Sequence, residues 1–411
     1  MMSKIEFRLE QNEDEFLKSW RVTDFANKIS ELHYKHELLN EVRKRIKEGE
    51  NPQNFFVFDK SFSIHRSYKY LGTHKLSSKN GVKNLYHLGV PFPLYSNSKI
   101  DAVRCIFNSF SRMYTEFNKE TGEGQEKLDK NNLYFFVKEA MTSNEEIEIN
   151  KYQKYLNAFV STIIVTTSQK KMKEVVFEEL KKLQVEYKNR YEIQKKMIEV
   201  EEEIKSKKTD SLSKRYDELI SKVPGLFGRS FMSNKRPIVG VYNSESNSVE
   251  ILCKNFIKQN VKEERQFDLK NISHNSPYVI VFLATYVLAQ LFYQMYVNKT
   301  DRLQVQNEIV LDDIELVDEG YGEREEPNAE AEDVRNKTLI LEMNRERLKE
   351  VAVSIEITEQ HSELASIPPS VEKTLDQIAD SNINKMATNF DQNGFSNGSL
   401  YLEKTNQENS K

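Results

Sequence analysis

The chain is poor in the residues that make tight turns and covalent staples. Its 411 residues include two cysteines, nine prolines and thirteen glycines. Two cysteines, Cys105 and Cys253, cannot staple a chain of this length. That excludes a disulfide scaffold and fits a reducing compartment such as the cytoplasm. Scarce Gly and Pro argue against an all-β protein built on tight turns. The start, Met1-Met2-Ser3-Lys4, soon becomes Glu-rich without an apolar signal region, so secretion is not expected.

Catalytic signatures are also missing. There is no G-x-S-x-G elbow and no Gly-rich phosphate loop, and neither cysteine sits in a reactive motif. His33 and His36 lie three apart on an expected helix, while the other histidines are scattered without zinc spacing. The pair reads as two surface histidines, and nothing calls for a metal or a cofactor. Carboxylate runs such as Glu199–Glu203 read as solvated helix faces. A divergent nuclease hidden among them is the remaining enzymatic alternative.

What is present is helix and charge. Hydrophobic residues make up 38% and charged residues 30%, polar enough that part of the chain should be solvated. Residues 125–223 contain neither Gly nor Pro, a strong helical signal. Within them Val176, Leu180, Leu183 and Tyr187 are spaced 4-3-4, as are Ile193, Met197, Val200 and Ile204. A six-residue step between the quartets predicts an interrupted seam on a long helix or helical hairpin. Short strands are expected at 54–59 and, as a hairpin, at 238–242 and 249–253. The expected fold is mainly α: a two-lobed helical core with a small β-hairpin and an acidic, largely disordered C-terminal tail.

The expected organisation is an N-terminal lobe over 1–121, a long helical region over 125–223, a C-terminal lobe over 224–308 and the tail over 309–411. Pro224-Gly225 marks the lobe boundary, and Pro368-Pro369 ends a tail helix begun near Ala329. The uncharged run Ser276–Val297 reads as one apolar helix, either buried in the core or crossing a membrane as a single anchor. Its glutamines and tyrosines favour the core, so a membrane is not the expected partner.

The net charge of −4 conceals a division. Residues 309–411 hold 23 acids and 10 bases, a net of −13; residues 1–308 therefore hold 41 acids and 50 bases, a net of +9. No acid occurs between Asp59 and Asp101. That stretch carries Lys60, Arg66, Lys69, Lys75, Lys79, Lys83 and Lys99, interleaved with Phe62, Tyr68, Tyr70, Tyr86, Phe92 and Tyr95. Bases neutralise phosphates and aromatic faces stack on unpaired bases, so the pattern fits single-stranded nucleic acid. It fits equally a solvated loop whose aromatics belong to the core. A second acid-free stretch, Leu219 to Ser244, carries Lys222, Arg229, Lys235 and Arg236. The two stretches are candidates to line one cleft. The acidic tail reads as a solubiliser, as a competitor for the basic core, or as a docking segment for a protein such as a polymerase.

The basic-aromatic stretch, the apolar run and the acidic tail together resemble the nucleocapsid proteins of negative-strand RNA viruses. The mass of 48.3 kDa is similar to that of the coat proteins of ophioviruses, which are segmented plant viruses. The resemblance implies a helical fold that grips single-stranded RNA in a groove and self-assembles along it. It also implies a place in the virion or the host cytoplasm. It is architectural and assigns no site residue.

Overall fold

The computed structural model describes residues 5–11, 19–62, 70–121, 130, 133–142, 168–207, 213–253, 268–273, 279–284, 286–317, 335–349, 367–395 and 398–404. The fold is mainly α, with two small antiparallel sheets. The chain forms two compact units, each assembled from segments distant in sequence. The first takes Met1–Asn40, Phe256–Glu363 and Ala379–Lys411; the second takes Glu41–Asn255 and Leu364–Ile378.

The first unit is built on β1 (Ile5–Glu10), which pairs antiparallel with β8 (Val279–Ala284) on one side and β9 (Leu400–Lys404) on the other. β7 (Asp268–Ser273) extends the sheet beyond β8. Alternation places Ile5, Phe7 and Leu9 on the buried face, as a period of two requires. Helices cover that face: α1 (Ser19–Lys47), α8 (Tyr286–Val317) and the second half of α9 (Pro369–Gln392). Phe7 meets Phe292 edge-on at 5.6 Å, Phe292 meets Phe390 at 5.2 Å, and Phe25 stacks on Phe395 at 4.5 Å. Gly398 passes so close to the carbonyl of Glu10 that a Cβ there would overlap it.

The second unit holds a five-stranded antiparallel sheet in the order β3-β6-β5-β2-β4. These strands are β2 (Phe55–Phe58), β3 (Thr73–Lys75), β4 (Pro91–Pro93), β5 (Val239–Asn243) and β6 (Ser248–Ile251). Around it lie α2 (Lys79–Leu88), α3 (Ser98–Thr121), α4 (Leu133–Thr142), α5 (Ser168–Lys207), α6 (Ser213–Lys222) and α7 (Pro224–Ser233). The expected strand at 54–59 and the expected hairpin are β2, β5 and β6.

Several expectations are corrected. The seam of α5 is not interrupted. Arg190 and Gln194 are buried and occupy the seam positions between Tyr187 and Met197, so the 4-3 spacing continues through the step. Both grip the buried Asp101 of α3: Arg190 donates from Nε at 3.2 Å and from Nη2 at 3.3 Å, and Gln194 donates from Nε2. One helical turn beyond Met197, Glu201 is buried as well. It accepts from Tyr95 Oη at 2.5 Å, from Tyr216 Oη at 3.1 Å and from Ser370 Oγ. A hydrophobic-only reading of the helix sees a gap where a polar seam exists.

The run Ser276–Val297 is not one helix. Its β-branched half, Val279–Ala284, pairs as β8, and its Ala-, Leu- and Gln-bearing half opens α8, as intrinsic preferences favour. Among the described residues no helix is long and apolar enough to cross a membrane. Pro224 opens α7 inside the second unit, because proline at the first helical position loses no intrahelical bond. For the same reason Pro369 opens α9; the expected end of the tail helix before it lies outside the described residues. α8 runs through residue 308 without a break, residues 335–349 are helical, and α9 and β9 are folded parts of the acidic segment. His33 and His36 are 3% and 2% exposed, not surface residues, because α1 is buried all round from Leu32 to Leu39.

Candidate nucleic-acid interface

β2 and β5 are neighbours, and their pairing carries the two acid-free stretches together. Val57 pairs with Val239, Phe58 N–H donates to Ile238 O at 3.0 Å, and Phe62 N–H donates to Arg236 O at 2.7 Å. The Ser61 hydroxyl lies 3.3 Å from Asn234 Oδ1. Lys60 and Lys235 are exposed at this end of the sheet, and Arg236 is half-buried beside them.

Lys75 sits elsewhere. It ends β3 opposite Ser248, which pairs with Asn243, so it lies at the far end of the sheet. At 3.3 Å per residue and 4.8 Å per strand, that is about 23 Å along the strands and about 14 Å across them from Lys60. α2 connects the two ends. Its start is set by Ser78, whose hydroxyl accepts from Gly81 N–H at 2.9 Å just after Lys75. Its far end reaches Gly89, which turns with φ of 124° against Asp59 and Lys60. Val90 N–H donates to the Asp59 carboxylate at 2.8 Å, so the acid bordering this end is engaged by backbone.

On α2, Lys79 is exposed and Lys83 half-buried. The Lys79 ammonium stands 5.3 Å over the Phe135 ring of α4. Among the described residues, no carboxylate forms an ion pair with Lys60, Lys75, Lys79, Lys83, Lys235 or Arg236. Arg229 of α7 is exposed, and its guanidinium donates to Ser221 O at 2.9 Å, capping the end of α6. Arg66, Tyr68 and Lys69 lie outside the described residues.

The aromatics divide. Phe62 and Tyr95 are core residues, and Tyr86 packs edge-on against Phe107 and Phe110 at 5.3 and 5.6 Å. Phe92 lies under the Arg104 guanidinium at 4.6 Å. Tyr70 instead stacks on His87 of α2, with ring centroids 4.9 Å apart and planes 11° from parallel. His87 was not singled out from sequence; its signal is the four-residue step Lys79, Lys83, His87 on one helix.

The remaining chemistry-bearing side chains are built into the fold. Both cysteines are buried, and burial pushes the Cys105 thiol up. Burial and the neighbouring His36 hold His33 down to about 3, so its imidazole is neutral at ordinary pH. Among the described residues no group of three or more His, Cys, Asp or Glu is placed to hold a metal ion. No protein-family model, curated protein or solved structure matches this chain.

Proposed function

We propose that this protein is a non-enzymatic, single-stranded RNA-binding protein that packages RNA without sequence preference and self-assembles along it, as a nucleocapsid or coat protein does. One observation carries the reading. The two acid-free basic segments, whose nearest bases Lys99 and Lys222 are 123 residues apart in sequence, meet on one sheet, and α2 links its two ends. Lysines from Lys75 through Lys79 and Lys83 to Lys60, Lys235 and Arg236 form a track suited to a phosphate backbone.

The test is binding of the full chain to unrelated single-stranded RNAs at two salt concentrations. The expected result is similar affinity for all sequences, falling steeply as salt rises, because each phosphate contact releases counterions. Lys60→Ala with Lys235→Ala weakens binding to every sequence alike. An absence of binding at low salt overturns the reading, as does metal-dependent degradation of the RNA.

A further inference from the structure

An edge strand presents unpaired N–H and C=O groups that another chain can use, and proteins ordinarily guard it. Three of the four edges of the two sheets are guarded among the described residues. β3 is three residues long and ends in the exposed Lys75, and β4 carries Pro91 and Pro93, which lack an N–H. β9 is engaged by the helical segment 335–349. Asn344 donates to Gly398 O at 2.9 Å and accepts from Leu400 N–H at 3.1 Å, and Arg347 donates to Leu400 O at 2.7 Å. β7 differs. It is six residues long, β8 lies on one side, and among the described residues no strand lies on the other. Its residues from Leu269 to Ile272 are all exposed, Leu269 by 45% and Ile272 by 39%.

A bulge decides which way these side chains point. A strict period of two would send Leu269 and Ile272 to opposite faces. The register instead shifts by one at Lys270, so Leu269 stands opposite Phe282 and Ile272 opposite Ile280. Residues opposite one another share a face, and Phe282 and Ile280 are fully buried in the core. Both exposed apolar side chains of β7 therefore lie on the core side of the sheet, at the end of its apolar face. Lys270 leans the other way, where it pairs with Glu6 of β1.

We propose that β7 pairs antiparallel with β7 of a second copy of this chain, across a two-fold axis between Lys270 and Asn271. The two four-stranded sheets then join into one of eight strands. The occupant follows from the strand's own order, Asp-Leu-Lys-Asn-Ile-Ser. A two-fold contact must be self-complementary. Here Leu269 meets the partner's Ile272, Lys270 meets the partner's Asn271, and Asp268 meets the partner's Ser273. Apolar falls on apolar, and no two like charges stand directly opposite. The inference rests on the self-assembly part of the reading above and not on its RNA part. Six residues a side is well below the roughly 20–30 of a standard interface, so the dimer is weak and concentration-dependent.

The test is sedimentation velocity of the full chain without RNA, over a series of protein concentrations. The expected result is a monomer–dimer equilibrium. Leu269→Lys with Ile272→Lys sets like charges opposite each other at both apolar pairs and is expected to weaken dimerisation roughly tenfold or more. Leu269→Lys with Ile272→Glu in one chain sets opposite charges there and restores the dimer, as this register requires. Leu339→Lys with Met343→Lys removes a different exposed apolar pair, on the segment 335–349, and leaves dimerisation unchanged.

A chain that stays monomeric at every concentration overturns the inference, as does a dimer that the paired lysines leave intact. Melting temperatures of the variants accompany each measurement. Leu269→Thr with Ile272→Thr, polar but β-branched, decides the outcome if the lysine pair does not fold. RNA binding at low salt is measured on the same proteins. A monomer that binds RNA overturns the β7 pairing and leaves RNA binding standing; a dimer that binds no RNA does the reverse.

Discussion

Asp101 is 1% exposed, a carboxylate taken almost wholly out of water. Arg190 and Gln194 satisfy it from α5, and Arg104 Nη1 approaches to 3.5 Å. Removing one partner of a buried pair leaves a naked charge, so Asp101→Ala is expected to cost about 3–5 kcal/mol in chemical denaturation. Asp101→Leu combined with Arg190→Met replaces the pair with apolar bulk and should recover most of that loss. His33 gives a pH dependence with a definite sign. Its folded value of about 3 lies below the ordinary 6.5, so its contribution is full above pH 6.5 and is lost as pH falls from there toward 3. Stability should therefore drop by up to about 1.4 kcal/mol per pH unit across that window. His33→Leu is expected to flatten this slope, read as melting temperature against pH. Little of this was legible in sequence. A histidine three residues from another has the same letters whether it faces water or a core, and Asp101 reveals its partners only when α3 and α5 are packed.

Elements were more legible than their partners. Breaker-free stretches, apolar periodicity and β-branched runs located α1, α5, β2 and the β5–β6 hairpin, because these signals are local. The misreading of the α5 seam has its cause in long-range polar pairing. The α5 seam holds Arg190, Gln194 and Glu201, and a hydrophobicity pattern sees polar letters there as interruptions. Glu201 binds hydroxyls from Tyr95, Tyr216 and Ser370, which stand on a loop, on α6 and on α9. Glu201→Leu strands three hydroxyl donors, those of Tyr95 and Ser370 buried and that of Tyr216 half-buried; each buried donor costs about 1–3 kcal/mol, so the variant should abolish or severely weaken cooperative folding. Glu201→Gln keeps an acceptor and should cost far less in the same melts. The basic candidates show the same division. Sequence marked two acid-free stretches, but only strand pairing brings Lys60 to Lys235 and Arg236, and only α2 joins them to Lys75.

At the scale of the molecule, the charge boundary at residue 308 is not a folding boundary. Ile383, Met386, Phe390, Phe395 and Leu400 are buried in the core of the first unit. Burying each is worth about 1.5–3 kcal/mol, so their joint loss rivals the whole stability of a domain. A chain truncated after 308 is expected to show no cooperative melt. Removing 318–333 alone tests the charge: it carries eight acids against Arg324 and begins just past the end of α8. That deletion should fold normally and, if the acids compete with RNA, tighten binding several-fold at low salt. Unchanged affinity would assign the acids to solubility or docking.

The pairing of β1 with both β8 and β9 also sets an order of events during synthesis. β1 leaves the ribosome first but cannot complete its ladder until residue 404 has emerged, about 20–80 s later at 5–20 residues per second. All five strands of the other sheet have emerged by Ile251. The strands beside the lysine track are therefore all available well before the first unit can close.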